Sequence, residues 1–431
     1  MIPAFCFLPT YIIKYSFKKL LLYSATFLSL FFYTSCQSSS KPKTVVVEGN
    51  GLIQLAAPTR LADNDRLSFK QKCEAWYDSM LKNHNFNGGI VVAKSGNIIF
   101  EKYEGTAHTK GTDTITAETP MHIASVSKTF TAMSILKLWQ DKKLDLDDEY
   151  RKYFPTFNYP GVTIRTLLNH RSGLPNYLYF MEDLDWNKKI SIKNQDVLDN
   201  LINKKGLLKN IAPPNKHFTY CNTNYALLAL LAEKISGMPF PTFIKKTFFD
   251  PLQMMHTYIY THADSATATP SYDWRGRTIP IDYLDDVYGD KNVYTTPRDL
   301  LTWDRALSSN LIFTKETLAQ AYAPYSNEKA GIKNYGLGWR MNVYPTGKKV
   351  IFHNGWWHGS NAVFIRLLQD DATIILIGNK YCRNIYKAKD LINMFDDYFA
   401  NDTDEETEPG TGTEKDTLHL QKTLNKSTRT Q

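Results

Sequence analysis

The stretch HIASVSKTFTAM, residues 122–133, places two serines and a lysine where an extended approach passes into a helical pattern. Val126, Phe130, Met133 and Leu136 fall on one face at helical spacing, and Lys128 sits one turn from Ser125 on the same side. A cation in the first turn opposes the helix dipole, so stability alone would favour an acid there. Dipole and burial together disfavour the ammonium and push a lysine toward its neutral amine, which can take a proton from a nearby hydroxyl. Ser125 is therefore a candidate nucleophile and Lys128 a candidate base. Taken alone the pattern is weak. The same Ser-x-x-Lys spacing recurs at Ser16, Ser38, Ser40, Ser79, Ser134 and Ser326, and a capping serine with a lysine snorkelling to water explains it as well.

Working outward, PNKHFTYCNTNYALLALLAEKISG (214–237) sets Tyr220 and Asn222 just before a helix expected over 225–235, with Cys221 between them pointing elsewhere. A phenol held near a lysine can shuttle a proton, and an amide can orient a substrate carbonyl. The bland alternative is a turn in which Asn222 caps the helix and Tyr220 packs. A rival Tyr-x-Asn at Tyr325 to Asn327 has no helix behind it and ranks below. A third stretch, IFHNGWWHGSNAVF (351–364), shows a strand ending in His353-Asn354-Gly355. By itself this reads as a hairpin with an Asn-Gly turn. His353 and His358, five apart, do not form a helical metal pair.

The remaining chain bounds these readings. Its 431 residues, 43% hydrophobic, are enough for one large or two ordinary domains. The net charge of +8 comes from 51 basic and 43 acidic residues without a dense basic run interleaved with aromatics, which argues against a nucleic-acid partner. Lys14, Lys18 and Lys19 precede an apolar run from Leu20 to Tyr33 that ends in YTSC at Cys36. This order of charged region, apolar region and small residues is that of an export signal. It resembles a bacterial lipoprotein signal in which Cys36 becomes the acylated first residue, with Tyr33 a departure where that pattern prefers leucine. A cleaved soluble signal or an uncleaved anchor are the alternatives. Residues 1–35 are thus read as the signal peptide, 36–65 as a tether and 401–431, with its run of acids, as a disordered polar tail. Cys73, Cys221 and Cys382 allow one disulfide or none, and their spacing fits no zinc site.

GGIVVAKSGNIIFEKYEG (88–105) reads as two strands about a Ser95-Gly96-Asn97 turn. Helical patterns dominate 125–320, short apolar runs separated by turn signals return after 335, and Ile385 to Phe399 closes with a helix. The expected fold is α/β of the α+β type. An antiparallel sheet is built from the N- and C-terminal segments (66–120 and 325–400) and flanked by helices, with a mostly helical region (121–324) inserted; together they form one domain over 66–400.

The three elements in this order resemble the serine beta-lactamase and D-alanyl-D-alanine carboxypeptidase-like hydrolases, specifically their class C branch. SVSKTFTAM looks like the first motif, YCN the second and HNG the third. The intervals of 95 residues from Ser125 to Tyr220 and 133 from Tyr220 to His353 suit that family. VTIRTLLNHRSGLPNY, DPLQMMHT, NVYTTPRDLLTW and YGLGWRM match it too, and the similarity runs from about residue 67 to 398. The resemblance implies a beta-lactamase/penicillin-binding transpeptidase-like fold and an acyl-enzyme mechanism. Ser125 would attack an acyl carbon, Lys128 and Tyr220 would move its proton, and Asn222 would hold the substrate amide. His353, Asn354, Gly355 and Trp356 would line the substrate site, with the backbone N–H groups of Ser125 and Trp356 as oxyanion hole. It implies no metal and no organic cofactor.

Where antibiotic-degrading members keep a lysine, this chain offers His353, a group mostly neutral at pH 7 with a reference pKa of ~6.5, so weak or no useful beta-lactamase activity is expected. The leading reading is an exported, membrane-anchored serine hydrolase facing the periplasm or cell exterior. It would be a monomer acting on an ester or amide, a D-amino-acid peptide of the cell wall included. The alternatives are a non-catalytic penicillin-binding-like sensor lipoprotein, an esterase for small acyl esters, and an envelope structural protein.

Overall fold

The computed structural model of the protein describes residues 51–108 and 111–398. The expected signal, Cys36, the first part of the tether and the tail lie outside the described residues. Along the chain, α1 (Asp63–Met80) leads into the hairpin of β1 (Gly88–Lys94) and β2 (Asn97–Glu104). Both turn residues, Ser95 and Gly96, have positive φ, the backbone twist that suits a two-residue hairpin loop. The middle region holds β3 (Met121–His122), α2 (Ser127–Gln140), α3 (Ile164–Leu168), α4 (Tyr177–Asp183), α5 (Asn194–Asn203), α6 (Asn222–Ser236) and α7 (Phe240–Ile244). It continues with β4 (Tyr258–Ile259), β5 (Ser271–Tyr272), β6 (Thr278–Ile279), β7 (Val293–Thr295), α8 (Pro297–Ser308) and α9 (Lys315–Ala321). The chain then returns to strands: β8 (Lys333–Tyr335), β9 (Arg340–Val343), β10 (Lys349–Trp357), β11 (Ser360–Leu367) and β12 (Ala372–Gly378), followed by 3₁₀ turns over Arg383–Met394.

The main sheet has the order β2-β1-β12-β11-β10-β9-β8 with antiparallel neighbours, so the two ends of the chain meet in register from Gly88↔Gly378 to Lys94↔Ala372. The apolar runs of β1 and β12 are continuous because both faces of the sheet are covered. Val91, Ala93, Ile375 and Ile377 pack toward the core that contains α2 and α8. Ile90, Val92, Ile374 and Leu376 pack on the other side, with Cys73 and Tyr77 of α1 and with Ile385 and Leu391 of the closing turns. Successive side chains of a strand point to opposite faces, so each alternate set feeds its own core.

The architecture is the mixed α/β fold expected, with three differences. α1 begins at Asp63 rather than Leu67, drawing residues assigned to the tether into the domain. The closing segment is a run of 3₁₀ turns beginning at Arg383, not an α-helix over 385–399. Within the region expected to be helical, β3, β7 and β4 pair as a small sheet; strands of two or three residues are too short to show an alternating pattern.

Gly338, in the β8–β9 connection, has φ +88, and a Cβ there would lie 2.1 Å from the Ala132 Cβ of α2. Gly338→Ala should therefore combine left-handed strain with an overpacked contact and cost at least about 2 kcal/mol of stability, measured by urea denaturation.

Candidate active site

Ser125 lies in a 3₁₀ turn, Ala124–Val126, between β3 and α2. Ala124 adopts φ +46, a left-handed conformation costing a non-glycine residue roughly 1–2 kcal/mol. β7 holds this strained turn. Met121 and His122 pair with Thr295 and Tyr294, and the Ile123 N–H donates to the Val293 carbonyl at 3.0 Å. The second serine of the stretch is structural, since Ser127 Oγ accepts the Val293 N–H at 3.0 Å. Lys128 is fully buried. Its Nζ lies 3.0 Å from Ser125 Oγ and 2.8 Å from the Asp290 carbonyl oxygen. A carbonyl only accepts, so one amine hydrogen is committed to Asp290 and the remaining valences of Nζ are turned toward Ser125.

Tyr220 and Asn222 meet this pair at the start of α6. The Tyr220 ring centroid is 5.0 Å from Lys128 Nζ, and the ring of Tyr225, one turn into the helix, is 5.6 Å away. Tyr220 is 7% exposed, and its phenol oxygen is buried without a hydrogen-bond partner. α6 begins at Asn222, three residues before the expected start. Asn222 is therefore the first helical residue and not the cap, and its amide makes no side-chain hydrogen bond among the described residues. The Cys221 thiol turns away toward the carbonyls of Leu174 and Pro175, 3.4 and 3.6 Å off, and burial pushes it up to about 11. Cys73, Cys221 and Cys382 are all free and buried, so none of the three is in a disulfide.

The third stretch departs from its expected geometry. β10 runs straight through Asn354-Gly355, and the hairpin turns later, at His358 (φ +52) and Gly359. Gly355 is required for a close approach instead, because a Cβ there would stand 2.2 Å from the Ile123 carbonyl oxygen. β9 pairs with β10 only as far as Phe352, so the edge from His353 onward lies free to border the Ser125 turn. Asn354 and Gly355 are buried along this edge and Trp356 is half-buried. The His353 side chain has no exposed surface. Its Nδ1 is 2.7 Å from the Asn354 carbonyl oxygen and must donate to it, which leaves Nε2 to accept the Tyr335 hydroxyl at 3.2 Å. Burial, with the positive charges of Arg340 and Lys128, holds His353 well below the ordinary imidazole range. It is a neutral imidazole beside Tyr220, 6.3 Å away between ring centroids.

A family model described as Beta-lactamase matches residues 74–389. The chain belongs to the beta-lactamase family. It is similar to penicillin-binding protein 4* of Bacillus subtilis (strain 168), 31% identical over 345 residues covering 75% of this chain and 76% of the relative. Protein flp of Staphylococcus aureus (strain N315) is 24% identical, covering 78% and 67%. Among solved structures, the octameric penicillin-binding protein homologue of Pyrococcus abyssi aligns with a TM-score of 0.65 at 23% identity, covering 76% of this chain and 78% of that one. The D-amino acid amidase of Ochrobactrum anthropi SV3 gives 0.61 at 20% identity, covering 77% and 97%. The family is one of serine hydrolases on this fold.

In this beta-lactamase-family site, groups not singled out from the sequence crowd Tyr220. His170, from the loop HRSGLPNY, lies tilted 4.3 Å from its ring and accepts the Cys221 N–H on Nδ1 at 3.1 Å. Burial, then the charges of Lys128 and Arg340, keep His170 neutral, and its Nε2 is buried without a partner. Arg340 of β9 sets its guanidinium 5.0 Å from the Tyr220 centroid and 6.0 Å from that of Tyr335, with Nε buried and unpartnered. Both residues stood in stretches quoted only as supporting matches. Asp290 contributes a backbone carbonyl, which no side-chain pattern can flag. The rival Tyr325 is engaged elsewhere, by Arg165 and Gln320.

Ala124→Gly should remove left-handed strain while freeing the turn. Its stability should stay within about 1 kcal/mol of wild type, the two backbone effects opposing one another. Covalent labelling of Ser125 by a fluorophosphonate should slow by about 10-fold as its hydroxyl loses its fixed aim, measured by the time course of intact mass.

Proposed function

We propose that this chain is a serine hydrolase working through an acyl-enzyme on Ser125. The observation that carries the reading is the 3.0 Å contact between Ser125 Oγ and Lys128 Nζ, with the amine steadied by the Asp290 carbonyl. Lys128 and Tyr220 take the hydroxyl proton as Oγ bonds to an acyl carbon. The C–N or C–O bond of the substrate then breaks, and the proton goes to the departing amine or alcohol. Water cleaves the Ser125 ester by the reverse transfer. The backbone N–H groups of Ser125 and Trp356 stabilise the oxyanion, and the free Asn222 amide orients the acyl side of the substrate.

Charge narrows the substrate. His353 is neutral where antibiotic-degrading members keep a lysine, whereas Arg340 is a cation with no ion pair among the described residues, facing the Tyr220 ring. A half-buried guanidinium left unpaired is unfavourable, and a substrate carboxylate relieves it. The substrate class is therefore an ester or amide with a carboxylate near the scissile bond, D-amino-acid peptides of the cell wall included. Relatives named as a penicillin-binding protein and a D-amino acid amidase support that class. With His353 neutral, the carboxylate of a beta-lactam finds no cation on β10, and slow turnover of such compounds is expected. Membership of the class C branch, export, a lipid anchor at Cys36, an envelope location and a monomeric state belong to the same proposal. The N-terminal pattern supports export and the anchor, and the motif set supports the branch.

Intact mass after fluorophosphonate, and separately after penicillin, should show an adduct in the wild type that is absent from Ser125→Ala; absence from both proteins with either reagent would remove the hydrolase reading. Arg340→Gln should raise KM at least ~10-fold for a peptide ending in a free carboxylate and leave its amide-capped analogue within about twofold, the signature of a lost charge-assisted contact. Equal shifts for the two substrates would take Arg340 out of the binding site.

A further inference from the structure

Asp285 lies in the loop between β6 and β7, 5% exposed, and its carboxylate collects contacts from two separate parts of the chain. Oδ1 accepts the indole N–H of Trp357 at 2.6 Å. Oδ2 accepts the backbone N–H of Asp282 at 2.6 Å and lies 3.0 Å from His358 Nε2. Trp357 and His358 form the tip of the β10–β11 hairpin, the segment that carries Trp356. That tip projects beyond Phe352, where pairing with β9 stops, so on one side the ladder gives it no support.

The donor atoms of Asp282, Asp285 and His358 lie within 4.8 Å of one another, the spacing of a metal site. Two facts favour an ion pair instead. Both Asp285 oxygens already accept hydrogen bonds, and the buried Lys291 ammonium stands 4.9 Å from the ring centroid of Trp357. The same loop runs on to the active site. Asn292 Nδ2 donates to the Asp285 carbonyl at 2.5 Å, Lys291 Nζ donates to the Tyr177 hydroxyl at 2.6 Å, and the Asp290 carbonyl holds Lys128.

We propose that Asp285 is a positioning residue whose ion pair with His358 clamps the β10–β11 hairpin, and with it the Trp356 amide, against the Ser125 turn. Its catalytic consequence rests on the hydrolase reading above; the clamp itself does not. The groups facing His358 are Asp285, Asp282, Lys291 and His122. Burial alone would lower the imidazole, but the charge and hydrogen bond of Asp285, with the charge of Asp282, outweigh it and leave His358 above its ordinary value, against the opposing charge of Lys291. Burial would likewise raise Asp285, yet His358 holds it below the usual carboxylate range, with Lys291 adding to the effect. The pair is therefore fully formed below about pH 6.5 and down through the ordinary carboxylate range, and opens as pH climbs through the raised value of His358.

The test uses the full chain with Asp285→Asn, His358→Gln and His358→Lys, the last keeping a cation that stays charged to higher pH. Hydrogen exchange at pH 7 should show amides 353–361 exchanging at least ~10-fold faster in Asp285→Asn and His358→Gln, with α6 unchanged and His358→Lys close to wild type. With a neutral ester substrate, kcat should fall ~10- to 100-fold in the first two variants with KM within about twofold, and His358→Lys should extend the alkaline limb of the wild-type pH profile. Unchanged exchange in Asp285→Asn and His358→Gln would overturn the clamp whether or not the protein hydrolyses anything. Faster exchange with no Ser125-dependent turnover in any form would keep the clamp and remove the hydrolase reading. Zinc-dependent protection of the hairpin in wild type, lost in His358→Lys, would replace the ion pair with a metal site and overturn the proposal.

Discussion

Lys128 is a buried amine, and much of the site follows from what is needed to keep it there. A lysine nitrogen removed from water must be given partners. Here it has the Asp290 carbonyl at 2.8 Å, the Ser125 hydroxyl at 3.0 Å and the faces of Tyr220 and Tyr225. The same short piece of chain that supplies Asp290 continues into β7, which pairs with β3 and accepts Ile123 and Ser127 into its hydrogen bonding. One segment of six residues, 290–295, thereby sets the position of the amine and the approach to Ser125 together. A shift in that segment moves both groups at once, so their separation is protected in a way that two independent anchors would not provide.

Much of this was legible from residue order, and what was not has definite physical causes. The hairpin at 88–104, α2, α6 and the C-terminal strands announce themselves through turn residues or long apolar patterns, and the order of three motifs brings distant residues into one frame. β3, β4 and β7 do not, because two or three residues cannot display a period. The Asn354-Gly355 pair misleads for a different reason. Glycine after asparagine is the strongest short hairpin signal, yet here glycine is present because the Ile123 carbonyl comes too close for a Cβ. Two unrelated demands select the same dipeptide, and only the fold distinguishes them. Arg340 and His170 acquire meaning only from standing beside Tyr220, a relation between segments far apart in sequence.

Charge around Tyr220 is distributed unevenly, and burial is the cause. Two imidazoles, His170 and His353, are kept neutral by desolvation and by the cations next to them. Lys128 and Arg340 each stand 5.0 Å from the ring centroid. A lysine in place of His353 would add a further cation near Arg340, at a cost in mutual repulsion that the neutral imidazole avoids. A neutral histidine on β10 and an arginine on β9 thus leave the positive charge near Tyr220 on β9 and not on β10.

The buried polar atoms without partners complete this picture. More than nine in ten buried polar groups in a folded protein find a hydrogen bond. Among the described residues, Tyr220 Oη, His170 Nε2 and Arg340 Nε lie about one phenol ring without one. Each is unfavourable on its own, and the strained Ala124 adds to the cost in the same neighbourhood. A sheet packed on both faces can tolerate local costs of this kind without loss of the fold. A ligand that supplies acceptors for the two nitrogens and a partner for the phenol gains from groups already desolvated and aimed, so less of its binding free energy goes to ordering them. The unpaired atoms cluster about the Tyr220 ring, which itself stands 5.0 Å from the buried amine that contacts Ser125.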